Sequence, residues 1–159
     1  FHNLFACTGI TYNHESVRRG RAFVTRKVAT QVAKIAMQQE TCLELGNLEA
    51  SRDWGYAPEY VQAMWLMLQN PAGPRDYVIA TGKLHSVRQL LQVAFAAADL
   101  EYEQYVKVNE GYFRPGETVP LVGNAARIKA DLGWQPQISF EAVIQAMVEQ
   151  ELKLLQTGR

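Results

Sequence analysis

The feature that most restricts the fold is an alternation of short apolar runs with helical stretches, clearest over residues 43–68. Leu43-Glu44-Leu45 has the character of a strand end. Pro58 then suits the first turn of a helix, because its fixed φ is already helical and its missing N–H has no partner to lose there. Behind it Val61, Met64, Trp65 and Leu68 recur at helical spacing, which predicts a helix packed on a core through that stripe. Between strand and helix lies a single arginine, Arg52, followed by Asp53, Trp54 and Gly55. An arginine on such a loop can grip anionic oxygens through its planar fork, or it can simply solvate a turn.

The same order recurs along the chain. Residues 4–12 (LFACTGITY) suit a strand buried on both faces of a parallel sheet, and Val24, Val28, Val32 and Ile35 mark the helix that follows. Residues 41–48 read as a second strand. After the breaker at residues 70–74 (NPAGP), residues 76–81 read as a third, leading through Gly82 to a helix capped by Ser86 and Gln89, with Val87, Leu90, Leu91 and Ala94 as its buried stripe. Repeated strand–helix units predict an α/β sheet of the doubly wound type, with ligands at the carboxyl ends of the strands, where the loops bearing His14 and Arg52 lie. From Asp99 onward the pattern changes to short aromatic-rich pieces. A brief helix stops at Gly133, and Ser139 caps a last helix whose face runs Phe140, Val143, Ile144, Met147, Val148, Leu152 and Leu155.

Composition narrows the function classes. Sixteen basic against sixteen acidic residues give no global attraction to nucleic acid or membrane, and no apolar run is long enough to span a bilayer. Cys7 and Cys42 have no partner at metal-ligand spacing and read as two buried free thiols of a reducing cytoplasm. The opening on Phe1, inside an apolar segment, is expected of a fragment. Against the neutral total, no acid falls between Glu15 and Glu40, whereas Arg18, Arg19, Arg21, Arg26, Lys27 and Lys34 all do. That local excess, beside the start of a helix, points to an anion site.

The segments NHESVRRG, FVTRK, LGNLEASRDWG, DYVIATG with HSVRQL, YFRPGE and LGWQP, in this order over nearly the whole chain, resemble the GDP-mannose 4,6-dehydratases, a branch of the extended short-chain dehydrogenase/reductase family. The resemblance implies the C-terminal portion of a doubly wound Rossmann-type sheet plus a small α/β substrate-binding lobe. Residues 1–98 would belong mostly to the dinucleotide-binding sheet and 99–159 mostly to the lobe, the two interleaved. It also implies bound NADP contacted by His14 and Arg19, and GDP-mannose held by Lys27, Arg52, Arg114 and Glu117. No metal is implied, and a homo-oligomer is. The implied reaction moves hydride from C4 of the sugar to the cofactor, eliminates water across C5 and C6, and returns the hydride to C6. The family's Gly-rich fingerprint, its Thr and Glu and its Tyr-xxx-Lys pair have no match here, so the 159 residues alone are expected to be inactive. Val17 replaces the family's usual proline, which frees the loop by about 0.4–1 kcal/mol of entropy. Two other readings stay open: a related GDP-sugar reductase or epimerase, and a non-catalytic binding or assembly fragment.

Overall fold

The computed structural model describes residues 4–113 and 120–158. Its elements are β1 (Gly9–Thr11), β2 (Asn13–Glu15), α1 (Val24–Ala36), β3 (Leu43–Leu45), β4 (Ser51–Arg52), β5 (Trp54–Tyr56), α2 (Ala57–Leu68), β6 (Tyr77–Ile79), β7 (His85–Ser86), α3 (Val87–Ala96), β8 (Val106–Val108), α4 (Ala126–Leu132) and α5 (Phe140–Gln156). The strands form parallel pairs β1–β6, β2–β5 and β3–β8, and one antiparallel pair, β4–β7. The α/β class and its parallel pairing follow the expected pattern of strands joined through helices.

Where the chain carries local signals, the elements begin and end on them. Ser86 Oγ accepts from Gln89 N while Gln89 answers to the Ser86 N–H, a complete capping box, and α3 buries Val87, Leu90, Leu91 and Ala94. Ser139 Oγ accepts from Ala142 N at the head of α5. Gly133 ends α4 at φ 68°, a left-handed position that glycine occupies without a Cβ clash.

Two cores result. One gathers α1, α3 and α5 around β3, with Val28, Leu43, Leu91 and Met147 at its centre. The other packs α2 and α4 on β6 through Tyr60, Met67, Ile79 and Ile128, closed by Trp134.

Several expectations are corrected. Residues 4–12 yield only the three-residue β1, and Ile10 is 52% exposed, so this strand is not covered on both faces. The polar stretch after it is partly strand, β2, and Arg52 lies on β4 rather than on a loop. Residues 41–48 and 76–81 contract to β3 and β6. On α2 the predicted stripe of Val61, Met64, Trp65 and Leu68 faces outward, with Trp65 59% exposed. Tyr60, Ala63 and Met67 are the buried face instead. Apolar residues nearly all round this helix make both faces look like a core stripe. Cys7 and Cys42 are free but only half-buried. No described helix is long and apolar enough to cross a membrane.

Candidate functional site

A cleft of about 710 Å³ opens between β2, the head of α1, β3 and the turn at Gly111-Tyr112-Phe113. The parallel β2–β5 pair sets its floor. Side chains alternate along a strand, so Asn13 and Glu15 of β2 turn into the cleft while His14 turns away. His14 packs against Tyr60, ring centres 5.2 Å apart, and its Nδ1 lies 2.8 Å from the Tyr12 carbonyl, to which it donates.

Three of the expected residues meet at this cleft: Arg19, Lys27 and Arg52. Arg19 leaves the loop after β2 and is held from two sides. Its Nε is 3.2 Å from Glu15 Oε2, and its guanidinium sits over the Phe23 ring at 3.6 Å. Lys27, one turn into α1, donates to the Glu44 carbonyl at 2.8 Å and lies 5.1 Å from the centre of the Tyr112 ring. Arg52 Nη1 donates to the Ser51 carbonyl at 2.8 Å. Arg114 and Glu117 lie outside the described residues.

The head of α1 adds to the positive character. Phe23 stands at its N-cap with no side-chain acceptor, and the first turn carries no acid. The positive end of the helix dipole therefore faces the cleft, with Glu15 of β2, bonded to Thr25 of the first turn, as the acid beside it. Opposite, Gly46 permits the Tyr112 turn to close, since a Cβ there would stand 2.7 Å from the Tyr112 carbonyl oxygen.

Glu15 was not singled out by its sequence context, where one acid in a polar run reads as solvated. It is 1% exposed, accepts a short hydrogen bond from Thr25 Oγ1 and pairs with Arg19. Burial raises its carboxyl above the ordinary value, outweighing the hydrogen bond from Thr25 and the charges of Arg19 and His14. A carboxyl that holds its proton more tightly when folded contributes stability in full below the unfolded value of 4.5 and loses it as pH rises through the folded value. Glu15→Gln is therefore expected to melt no lower than the parent at neutral pH, with the difference closing as pH falls towards 4.5. Calorimetry across pH checks this, and a melting deficit that grows with pH would contradict it.

Asp53, the neighbour of Arg52, joins distant segments of the fold. It is fully buried and accepts from Thr81 N (2.9 Å), Thr81 Oγ1 (2.6 Å), Gly82 N (2.9 Å) and Gly123 N (3.2 Å). It thus ties the segment carrying Arg52 to the β6–β7 connection and to the approach to α4. The basic excess of residues 18–34 is also partly answered inside the fold, because Arg26 pairs with Glu151 of α5. A second cavity of about 670 Å³ lies beyond Trp54, bounded by His85, Trp134 and Phe140. Among the described residues no group of three His, Cys, Asp or Glu is placed to hold a metal.

A family model described as GDP-mannose 4,6 dehydratase matches residues 1–147. The chain is 49% identical over 153 residues to GDP-mannose 4,6 dehydratase 2 of Arabidopsis thaliana, covering 96% of this chain and 41% of that protein. It is 43% identical over 174 residues to the GDP-mannose 4,6 dehydratase of Homo sapiens, covering 99% of this chain and 46% of that protein. It therefore spans less than half the length of these relatives. Among solved structures, RMD from Pseudomonas aeruginosa complexed with NADPH superposes with a TM-score of 0.82 at 21% identity, over 91% of this chain and 48% of that one. At that identity the likeness speaks for the fold.

Proposed function

We propose, since this chain belongs to the GDP-mannose 4,6-dehydratase family, that the protein of which it forms part converts GDP-mannose to GDP-4-dehydro-6-deoxy-mannose with a bound NADP. The observation that carries the reading is the convergence of Arg19, Lys27, Arg52 and the uncapped head of α1 on one cleft. Such a cleft opposes a diphosphate with several positive groups at once, some of them fixed before the ligand arrives. We assign Lys27, Arg52 and Arg114 to the diphosphate of GDP-mannose, and Glu117 to hydroxyls of the ribose or N–H groups of guanine. His14 and Arg19 are assigned to the cofactor.

Arg19 suits an anionic cofactor because Glu15 and Phe23 restrain its guanidinium at the edge of the cleft. A bound nicotinamide would supply reversible hydride transfer. The residues of this chain would hold the two nucleotides against each other and keep the sugar from drifting, which is where much of a rate enhancement originates. Residues 1–98 are proposed to belong mostly to the dinucleotide-binding sheet and residues 99–159 mostly to the substrate-binding lobe, the two interleaved in the packing. The outward faces of α2 and β1 favour further protein packed there, whether more of the same chain or another copy. Cytoplasmic location and homo-oligomeric assembly are part of the same proposal.

Kinetics of the complete protein test the reading. GDP-mannose should be turned over with no net change in reduced cofactor, and Arg19→Ala should raise the Michaelis constant for NADP while leaving that for GDP-mannose nearly unchanged. Stoichiometric oxidation of the cofactor would indicate a GDP-sugar reductase. An Arg19→Ala effect on the sugar nucleotide would overturn the division of the basic residues.

A further inference from the structure

Arg26 and Glu151 take no part in the cleft, yet both are buried: Arg26 is 8% exposed and Glu151 4%. Arg26 Nη2 pairs with Glu151 Oε1, and Arg26 Nη1 donates to the carbonyl of Val17. Thr30 Oγ1, one turn along α1, donates to Glu151 Oε2 at 2.9 Å. The carboxylate of α5 is thus fixed by two groups of α1, and the guanidinium it holds is fixed on the loop between β2 and α1.

That loop is the one bearing Arg19. Its bend is closed locally by Arg19 N donating to the Ser16 carbonyl at 2.9 Å and by Arg18 N donating to Ser16 Oγ at 3.1 Å. Neither bond ties the loop to the body of the fold. Arg26 does so, gripping the peptide two residues before Arg19 and limiting the freedom that Val17 allows. A buried ion pair is weak evidence for stability, because desolvation cancels most of its Coulomb gain, whereas its geometry is exacting. What this one delivers is the position of a loop carbonyl.

We propose that Glu151 and Arg26 are positioning residues for Arg19, a buried relay from the C-terminal helix that sets where the anion-binding guanidinium stands. The inference rests on the reading of the cleft as a nucleotide site. In Glu151→Gln, whose shape matches the parent, Arg26 keeps its charge without a counter-ion and loses its hold on the Val17 carbonyl.

A double-mutant cycle in the complete protein tests this, with NADPH and GDP affinities and unfolding midpoints measured for each variant. Glu151→Gln should weaken NADPH binding by about tenfold. In an Arg19→Ala background the same change should cost no more than about twofold, since there is no longer a guanidinium to misplace. A role confined to clamping α1 on α5 would lower the midpoint but act additively with Arg19→Ala. Thr30→Val, which removes only the hydroxyl on Glu151, should show a smaller effect of the same non-additive kind, and it carries the test if Glu151→Gln does not fold. Unchanged or additive NADPH affinity overturns the relay while leaving the cleft reading intact. Arg19→Ala without effect on either nucleotide overturns the cleft reading, and the relay with it.

Discussion

Asp53→Ala is expected to destabilise the complete protein by about 3–5 kcal/mol, the range for leaving buried partners of a charged group unpaired. The carboxylate collects one hydroxyl and three backbone N–H groups from two separate segments, and at 0% exposure no water is at hand to replace it. Alanine would leave the N–H groups of Thr81, Gly82 and Gly123 without their acceptor and would also empty a charge-sized space. Asn would restore one acceptor oxygen but set an NH₂ against donors, so Asp53→Asn should recover only part of the loss. Urea unfolding followed by fluorescence reads the difference directly. Because the lost contacts anchor the segment next to Arg52, GDP affinity should fall in parallel. A loss below about 1 kcal/mol would mean that the four donors find other partners.

Arg52→Ala is expected to weaken GDP binding by about 1.5–3 kcal/mol, the value of hydrogen bonds to a charged group, or about 10- to 150-fold in affinity. Arg52 is half-buried on β4, where the antiparallel pair with β7 fixes its backbone, so its side chain enters the cleft from a rigid base. Lysine keeps the charge but not the planar fork, and Arg52→Lys should fall between the parent and alanine. Titration calorimetry with GDP checks both. The NADP Michaelis constant should hardly move, which separates this residue from Arg19.

What the chain discloses before folding follows the range of the forces involved. The capping box of Ser86 and Gln89, the Ser139 cap and the stop at Gly133 depend on neighbours within a turn, and each was visible from its residues alone. Arg19 and Lys27 were visible as members of an acid-free basic run and Arg52 as a lone arginine between strand and helix, but that the three share one cleft was not, since Arg52 lies on β4 and Lys27 on α1. The orientation of α2 was not visible. Nearly every position on it from Val61 to Leu68 is apolar, so the period alone cannot separate the face set by Tyr60, Ala63 and Met67 from its opposite. Glu15 was hidden for a related reason: only the two-residue alternation of β2 turns it inward, and a three-residue strand leaves little alternation to read. The partner of Arg26 comes from the last helix, a distance that no local pattern encodes. Part of the basic excess is therefore spent in ion pairs within the fold, Arg26 with Glu151 and Lys34 with Glu40, while Arg19 and Lys27 line the cleft.

The central claim is that the cleft between β2, α1 and β3 holds the diphosphate of a guanine nucleotide sugar. A crystal structure of the complete protein with GDP bound measures this most directly. The diphosphate oxygens should lie within hydrogen-bond reach of Arg52 and Lys27, in front of the head of α1. GDP seated instead in the second cavity, among His85, Trp134 and Phe140, with Arg52 and Lys27 making no contact to it, would contradict the account.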